Sequence, residues 1–132
     1  MWSDLLGKEY AEGAVGPDRY DCYGLCREIA RRVGRSLPDL PHPSNLQETH
    51  ELYLQAAESM RRLPAPAPFC AVAFMMRPPF VTHIGIVLED CRRFIHILRK
   101  RSVAIERLDN PQWQRRIAGY YEPPVDPNHQ SV

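Results

Sequence analysis

Apolar residues recur at three- and four-residue spacing from Cys22 through Leu25, Cys26, Ile29, Ala30 and Val33. That is the period of an amphipathic helix. Arg27, Glu28, Arg31 and Arg32 fall off the stripe. Asp21 supplies an N-cap and Gly34 a terminator, which predicts a helix over residues 22–33. Prolines at 38, 41 and 43 make Leu37–Pro43 an extended connector. Ser44 with Gln47 three residues on reads as a capping box. A second helix is predicted from there to about Arg62, with Leu46, Tyr53, Ala57 and Met60 near one face. Pro64, Pro66 and Pro68 end it.

The period then changes from helical to alternating. Phe69–Met75 is a short apolar run. Thr82–Leu88 puts Ile84, Ile86 and Leu88 on one face and His83, Gly85 and Val87 on the other. Arg93–Leu98 and Val103–Leu108 read as the next two strands, and Gly119–Glu122 as a last one. Asn110-Pro111 between them has the form of a helix start. Residues 1–19, with Gly7, Gly13, Gly16 and Pro17, read as turns. Helices first and an antiparallel meander second predict an α+β domain over residues 1–122. The polar, Pro-rich stretch 123–132 reads as a disordered tail.

Composition narrows the partners. The 132 residues fit one domain, and 44% hydrophobic with 25% charged residues is an ordinary globular balance. A net charge of +1 gives no reason to expect nucleic acid. No apolar run approaches the roughly 20 residues that cross a bilayer, so no membrane insertion is expected. The start of the chain lacks the basic and apolar segments of a signal peptide, so synthesis in the cytoplasm is expected. The four cysteines Cys22, Cys26, Cys70 and Cys91 are read as free thiols, because the chain is not a small secreted scaffold.

Of these thiols, Cys22 sits where chemistry is favoured. Unpaired N–H groups at a helix start stabilise a thiolate. Burial as a small hydrophobe is the competing role. A nucleophilic cysteine needs a base, and the base needs an orienting group. His83 and His96 are the histidines on predicted strands. A turn at Asp90-Cys91 sets His96 opposite Gly85 and His83 opposite Leu98. Both histidines then share a sheet face as diagonal neighbours, roughly 7–8 Å apart at the backbone. Gly85 leaves room for His96. A slip of one residue would separate them. Zinc held by Cys22, Cys26, His83 and His96 is a rival, but the spacing is not that of a usual structural zinc site. No metal or cofactor is expected. The basic group Arg92, Arg93, Arg99, Lys100 and Arg101 reads as a solvated hairpin rim.

Tyr20-Asp21-Cys22-Tyr23-Gly24-Leu25 resembles the Asp-Cys-Ser-Gly signature of NlpC/P60 cell-wall peptidases. Thr82-His83-Ile84-Gly85-Ile86 resembles that family's histidine strand, and Phe94-Ile95-His96 the strand with its third polar residue. Gly7-Lys8-Glu9-Tyr10 with Gly13 resembles the segment before the nucleophile. The closing Trp113, Arg116-Ile117 and Gly119-Tyr120-Tyr121 resemble the phage-tail branch. The resemblance implies a papain-like NlpC/P60 fold and hydrolysis of peptidoglycan stem peptides, often at the γ-D-glutamyl–diamino-acid bond. It implies Cys22 as nucleophile, His83 as base and later acid, and His96 as orienter. Tyr10 and Tyr23 are the implied substrate-lining residues. Tyr23 replaces the family's common serine, which bears on recognition of a free amino end. Tail-tip proteins are the expected partners for targeting, and a virion carrier acting on the cell wall the expected setting. The alternatives are a catalytically silent tail-assembly protein and a related amidase or acyl-transfer enzyme.

Overall fold

Asp21 closes the first turn of helix α1 (Cys22–Arg32) by accepting a hydrogen bond from the Gly24 N–H at 2.6 Å. In this computed structural model, which describes residues 2–128, the helix ends as the sequence predicts. Val33 is its C-cap, and Gly34 follows at φ 77°, a left-handed conformation that glycine adopts without steric cost. The stripe Leu25, Cys26, Ile29 and Ala30 is buried in one core with Ile84, Ile86, Ile95 and Ile97.

Helix α2 (Leu46–Glu58) starts two residues after the predicted cap. Asn45, not Ser44, is the N-cap, and its side chain accepts from the Glu48 N–H at 2.9 Å. Both residue types cap well, so the register of the extended connector decides. The helix also stops earlier than predicted. Arg61–Leu63 is strand β1, paired antiparallel with residues Tyr120–Glu122.

The remaining strands are β2 (Ala71–Phe74), β3 (His83–Val87), β4 (Arg93–His96), β5 (Ala104–Arg107) and β6 (Ile117–Glu122), with helix α3 (Pro111–Gln114) before the last. Asn110 caps α3, and Pro111 begins it, as read from the sequence. The sheet order is β1-β6-β2-β3-β4-β5. Only β2 to β5 form a meander. β6 returns across the sheet and inserts between β1 and β2. A simple meander does not describe the fold, because two central neighbours are joined by long-range pairing. The fold is α+β, with helices packed on a six-stranded antiparallel sheet.

Strand β3 is buried at all five positions. Its Ile84 and Ile86 face α1. The other face carries a second core of Val72, Phe74, Val87, Phe94 and Trp113. Trp113 seals this side at 2% exposure, with its ring edge-on to Phe74 and Phe94. The four cysteines are free.

Residues 123–126 correct the expected tail. Pro123 is buried, and Val125 bridges to Arg35. The Ser36 N–H donates to the Pro124 carbonyl and the Asp126 N–H to the Gly34 carbonyl, each at 2.9 Å. These bonds satisfy backbone groups at the end of α1, which holds the strip in place. Residues 129–132 of that expected tail lie outside the described residues.

Candidate functional site

The turn at Asp90-Cys91 fixes the β3–β4 register. Asp90 accepts from the Arg92 and Arg93 N–H groups, and Cys91 takes φ 58°. Ile86 then pairs with Ile95 and Val87 with Phe94, the register predicted from the sequence. His83 and His96 therefore share a face and meet. His83 Nε2 lies 2.8 Å from His96 Nδ1. Gly85 makes this possible. A Cβ there would lie 3.0 Å from Phe94 Cδ2, 3.1 Å from the Ile95 carbonyl oxygen and 3.3 Å from His96 Cβ.

Aromatic rings wall in both imidazoles. Phe74 stands 5.6 Å from the His83 ring, and Trp113 stands 4.8 Å from the His96 ring. Burial disfavours the imidazolium. Together with the charge of His96 it pushes His83 from the ordinary 6.5 down to about 3. His96 is also lowered by burial, against an opposing pull from Glu106. His96 Nε2 lies 2.5 Å from Glu106 Oε2. Glu106 is a partner of the histidine pair that the sequence reading missed. Applying the diagonal rule once more across β4–β5 finds it, since His96 pairs with Ala104 and Glu106 lies two residues on.

Cys22 lies at the start of α1, partly exposed in a groove of about 640 Å³ that His83, Tyr10 and Tyr23 also line. Its thiol partner is the Tyr53 hydroxyl of α2, at 3.1 Å. Among the described residues no hydrogen bond joins Cys22 to His83. Burial pushes the Cys22 thiol up to about 11, against the Tyr53 hydroxyl and the backbone N–H groups of the first turn. The helix start helps a thiolate, as the sequence reading assumes, but burial outweighs it in this state. Tyr53 was legible only as one member of an apolar helix face. Nothing local signals its contact with the thiol 31 positions away.

The two lining tyrosines differ in their engagement. The Tyr23 hydroxyl donates to the Pro38 carbonyl at 2.5 Å, which ties the extended connector to α1. Its ring stacks obliquely on Tyr53 with centroids 5.8 Å apart. Tyr10 is held by its N–H on the Arg101 carbonyl, and burial raises its hydroxyl to about 12. The loop before β3 is held by the Val81 N–H donating to His50 Nδ1 at 2.8 Å, which links α2 to the strand that carries His83.

Gly24 explains the second half of the signature. The carbonyl oxygen of Ala14 sits where a side chain would begin, and Val15 Cα lies 3.2 Å from that point. The segment before Cys22 therefore packs directly on α1, and the Asp21 N–H donates to that same Ala14 oxygen at 2.9 Å. The zinc set does not assemble. Cys26 is buried in the core under α1, whereas both histidines lie on the opposite face of the sheet. Arg93 and Arg99 of the basic rim pair with Asp90 and Glu12.

The family model described as NlpC/P60 family matches residues 7–122. This chain belongs to the NlpC/P60 family. No curated protein matches it. Among solved structures, NlpC2 from Trichomonas vaginalis is 18% identical with a TM-score of 0.68, over 91% of this chain and 43% of that one. An NlpC/P60 family protein from Bacillus cereus is 20% identical with a TM-score of 0.67, over 91% and 39%. A Staphylococcus aureus protein of the NLP/P60 family, described as similar to lipoprotein, is 22% identical with a TM-score of 0.61, over 91% and 38%. This NlpC/P60 domain thus spans about two fifths of the length of the solved structures it matches.

Proposed function

We propose that this NlpC/P60 domain is a cysteine hydrolase that cleaves amide bonds in peptidoglycan stem peptides. The observation that carries the reading is the His83–His96 contact at 2.8 Å beside a groove that also holds Cys22 at a helix start. Family membership supports the substrate class. In this scheme the Cys22 thiol gives its proton to His83 as Sγ attacks the amide carbonyl. The oxyanion is held by the Cys22 N–H. His83 then gives its proton to the leaving amine, and water releases the acyl group from Sγ. His96 holds the base in orientation. A neutral thiol and a neutral imidazole at rest fit general-base attack rather than a preformed ion pair. Attack requires the thiol to leave the Tyr53 hydroxyl.

Tyr23 beside the nucleophile and the closing aromatic segment favour the phage-tail branch, with delivery to the cell wall by a tail particle. One observation favours a second reading, a silent tail-assembly protein: the thiol is bonded to Tyr53 and not to His83. Muropeptide digestion by wild type and Cys22→Ala separates the two. Product from wild type alone supports the hydrolase. No product from either, with normal incorporation into particles, supports the silent protein. Equal product from both removes Cys22 from the chemistry.

A further inference from the structure

The two histidine contacts form a directed chain once donors and acceptors are assigned. A glutamate carboxylate accepts and does not donate. His96 Nε2, 2.5 Å from Glu106 Oε2, must therefore carry a proton. Burial keeps His96 a neutral imidazole at neutral pH, and a neutral imidazole has one N–H only. His96 Nδ1 is then a bare acceptor, and His83 Nε2, 2.8 Å away, must be the donor. His83 in turn has its proton on Nε2 and a free lone pair on Nδ1. That lone pair is what a general base needs to take a proton from a thiol. Reversing the chain would leave His83 with its lone pair aimed at His96 and a useless proton on Nδ1.

We propose that Glu106 is a positioning residue that sets the tautomers of both His96 and His83 and so makes His83 competent as a base. The inference rests on the hydrolase reading for its consequence but not for its geometry. Glu106 lies on β5, at the edge of the sheet, and is 34% exposed. Substitutions there are therefore tolerated better than at the buried histidines. Phe94 pairs with Glu106 and His96 with Ala104, so His83, His96 and Glu106 step across three strands on one face.

The test uses imidazole 15N tautomer shifts near neutral pH, which need no substrate. Wild type is expected to show both histidines protonated on Nε2. Glu106→Gln keeps an acceptor oxygen of the same reach and is expected to keep both tautomers. Glu106→Lys presents donors only and is expected to move the proton to Nδ1 of both rings. With that reversal, kcat on muropeptides is expected to fall on the order of 10²–10⁴-fold at little change in KM, as for other wrong-tautomer bases. Unchanged histidine tautomers in Glu106→Lys, or a wild type protonated on Nδ1 of His83, would overturn the proposal. Inactive wild type with the expected tautomer reversal would sink the hydrolase reading and leave the Glu106 assignment standing.

Discussion

Acidification tests the burial of His83 directly. The folded chain holds this imidazole neutral, with its titration moved from the ordinary 6.5 down to about 3 by burial and by His96. The unfolded chain takes up a proton at 6.5 as usual. Below that pH the unfolded state binds more protons, so stability falls with falling pH. The contribution is fully present above 6.5 and drains away as pH drops towards 3. At about pH 4.5 the loss is two pH units at about 1.4 kcal/mol each, or about 3 kcal/mol. That is a large share of the 5–15 kcal/mol typical of a domain.

The assay is urea denaturation of wild type and His83→Phe at pH 7 and at about pH 4.5. Phenylalanine suits a pocket whose walls are Phe74 and Trp113, at ring distances of 5.6 and 6.1 Å. Carboxylates such as Asp4, held at about 2 by Arg32, lose the same contribution in both proteins and cancel in the comparison. Wild type is expected to lose about 3 kcal/mol more than the variant between the two conditions. Losses that agree within about 0.5 kcal/mol, the usual scatter of independent effects, would show that His83 is hydrated or charged in the fold. The site would then lack the dry wall described above.

Iodoacetamide labelling of Cys22 is expected to accelerate with pH towards a midpoint of about 11, with a thiolate fraction near neutrality on the order of 10⁻⁴; a plateau already reached below pH 8 would refute a protonated resting thiol. Gly85→Ala adds a methyl 3.0 Å from Phe94 and 3.1 Å from a carbonyl that cannot swing away. Overpacking of about 1–3 kcal/mol exceeds the backbone gain of about 0.4–1 kcal/mol, so thermal denaturation should show a lower Tm and histidine NMR a displaced His96; a more stable variant would be contrary evidence. Gly24→Ala should destabilise by a similar amount although alanine favours helices by about 1 kcal/mol, because the new Cβ meets the Ala14 oxygen and lies 2.9 Å from Asp21 Oδ1; a rise in Tm would show that the segment at 14–15 moves freely.

What the sequence made legible was whatever local chemistry determines. Helix α1 was readable because cap, stripe and terminating glycine all agree over residues 21–34. The histidine pair was readable because a tight turn with an Asp90 side-chain clamp leaves one register, and register decides faces. The edge of the sheet was not readable. Arg61–Leu63 has no alternation of its own and is a strand only because Tyr120–Glu122 arrives beside it from 57 to 61 positions away. The end of α2 was misread for that reason, since a partner strand overrides helix propensity there. Glu106 was hidden differently. Its strand was predicted, but the seven residues 97–103 between β4 and the first paired residue of β5 leave the next register open. Lys100 at φ 62° in that connection sets it only in three dimensions.

The ionisation state of Cys22 depends on tertiary structure in the same way. The signature Asp21-Cys22-Tyr23-Gly24 fixes the helix start and the close packing of the segment before it. It does not fix what covers the sulfur. Tyr53 comes from α2, a helix with Ala56 as its one fully buried residue, and it is through Tyr53 that α2 reaches the thiol. A loosely packed element therefore holds Cys22 in its resting contact, while His83 sits in dense aromatic packing between Phe74, His96 and Trp113. Opening of the lower-stability element is the less costly motion. In the proposed hydrolase, the step that frees Cys22 for His83 is accordingly a displacement of Tyr53 with α2, the histidine pair staying in place.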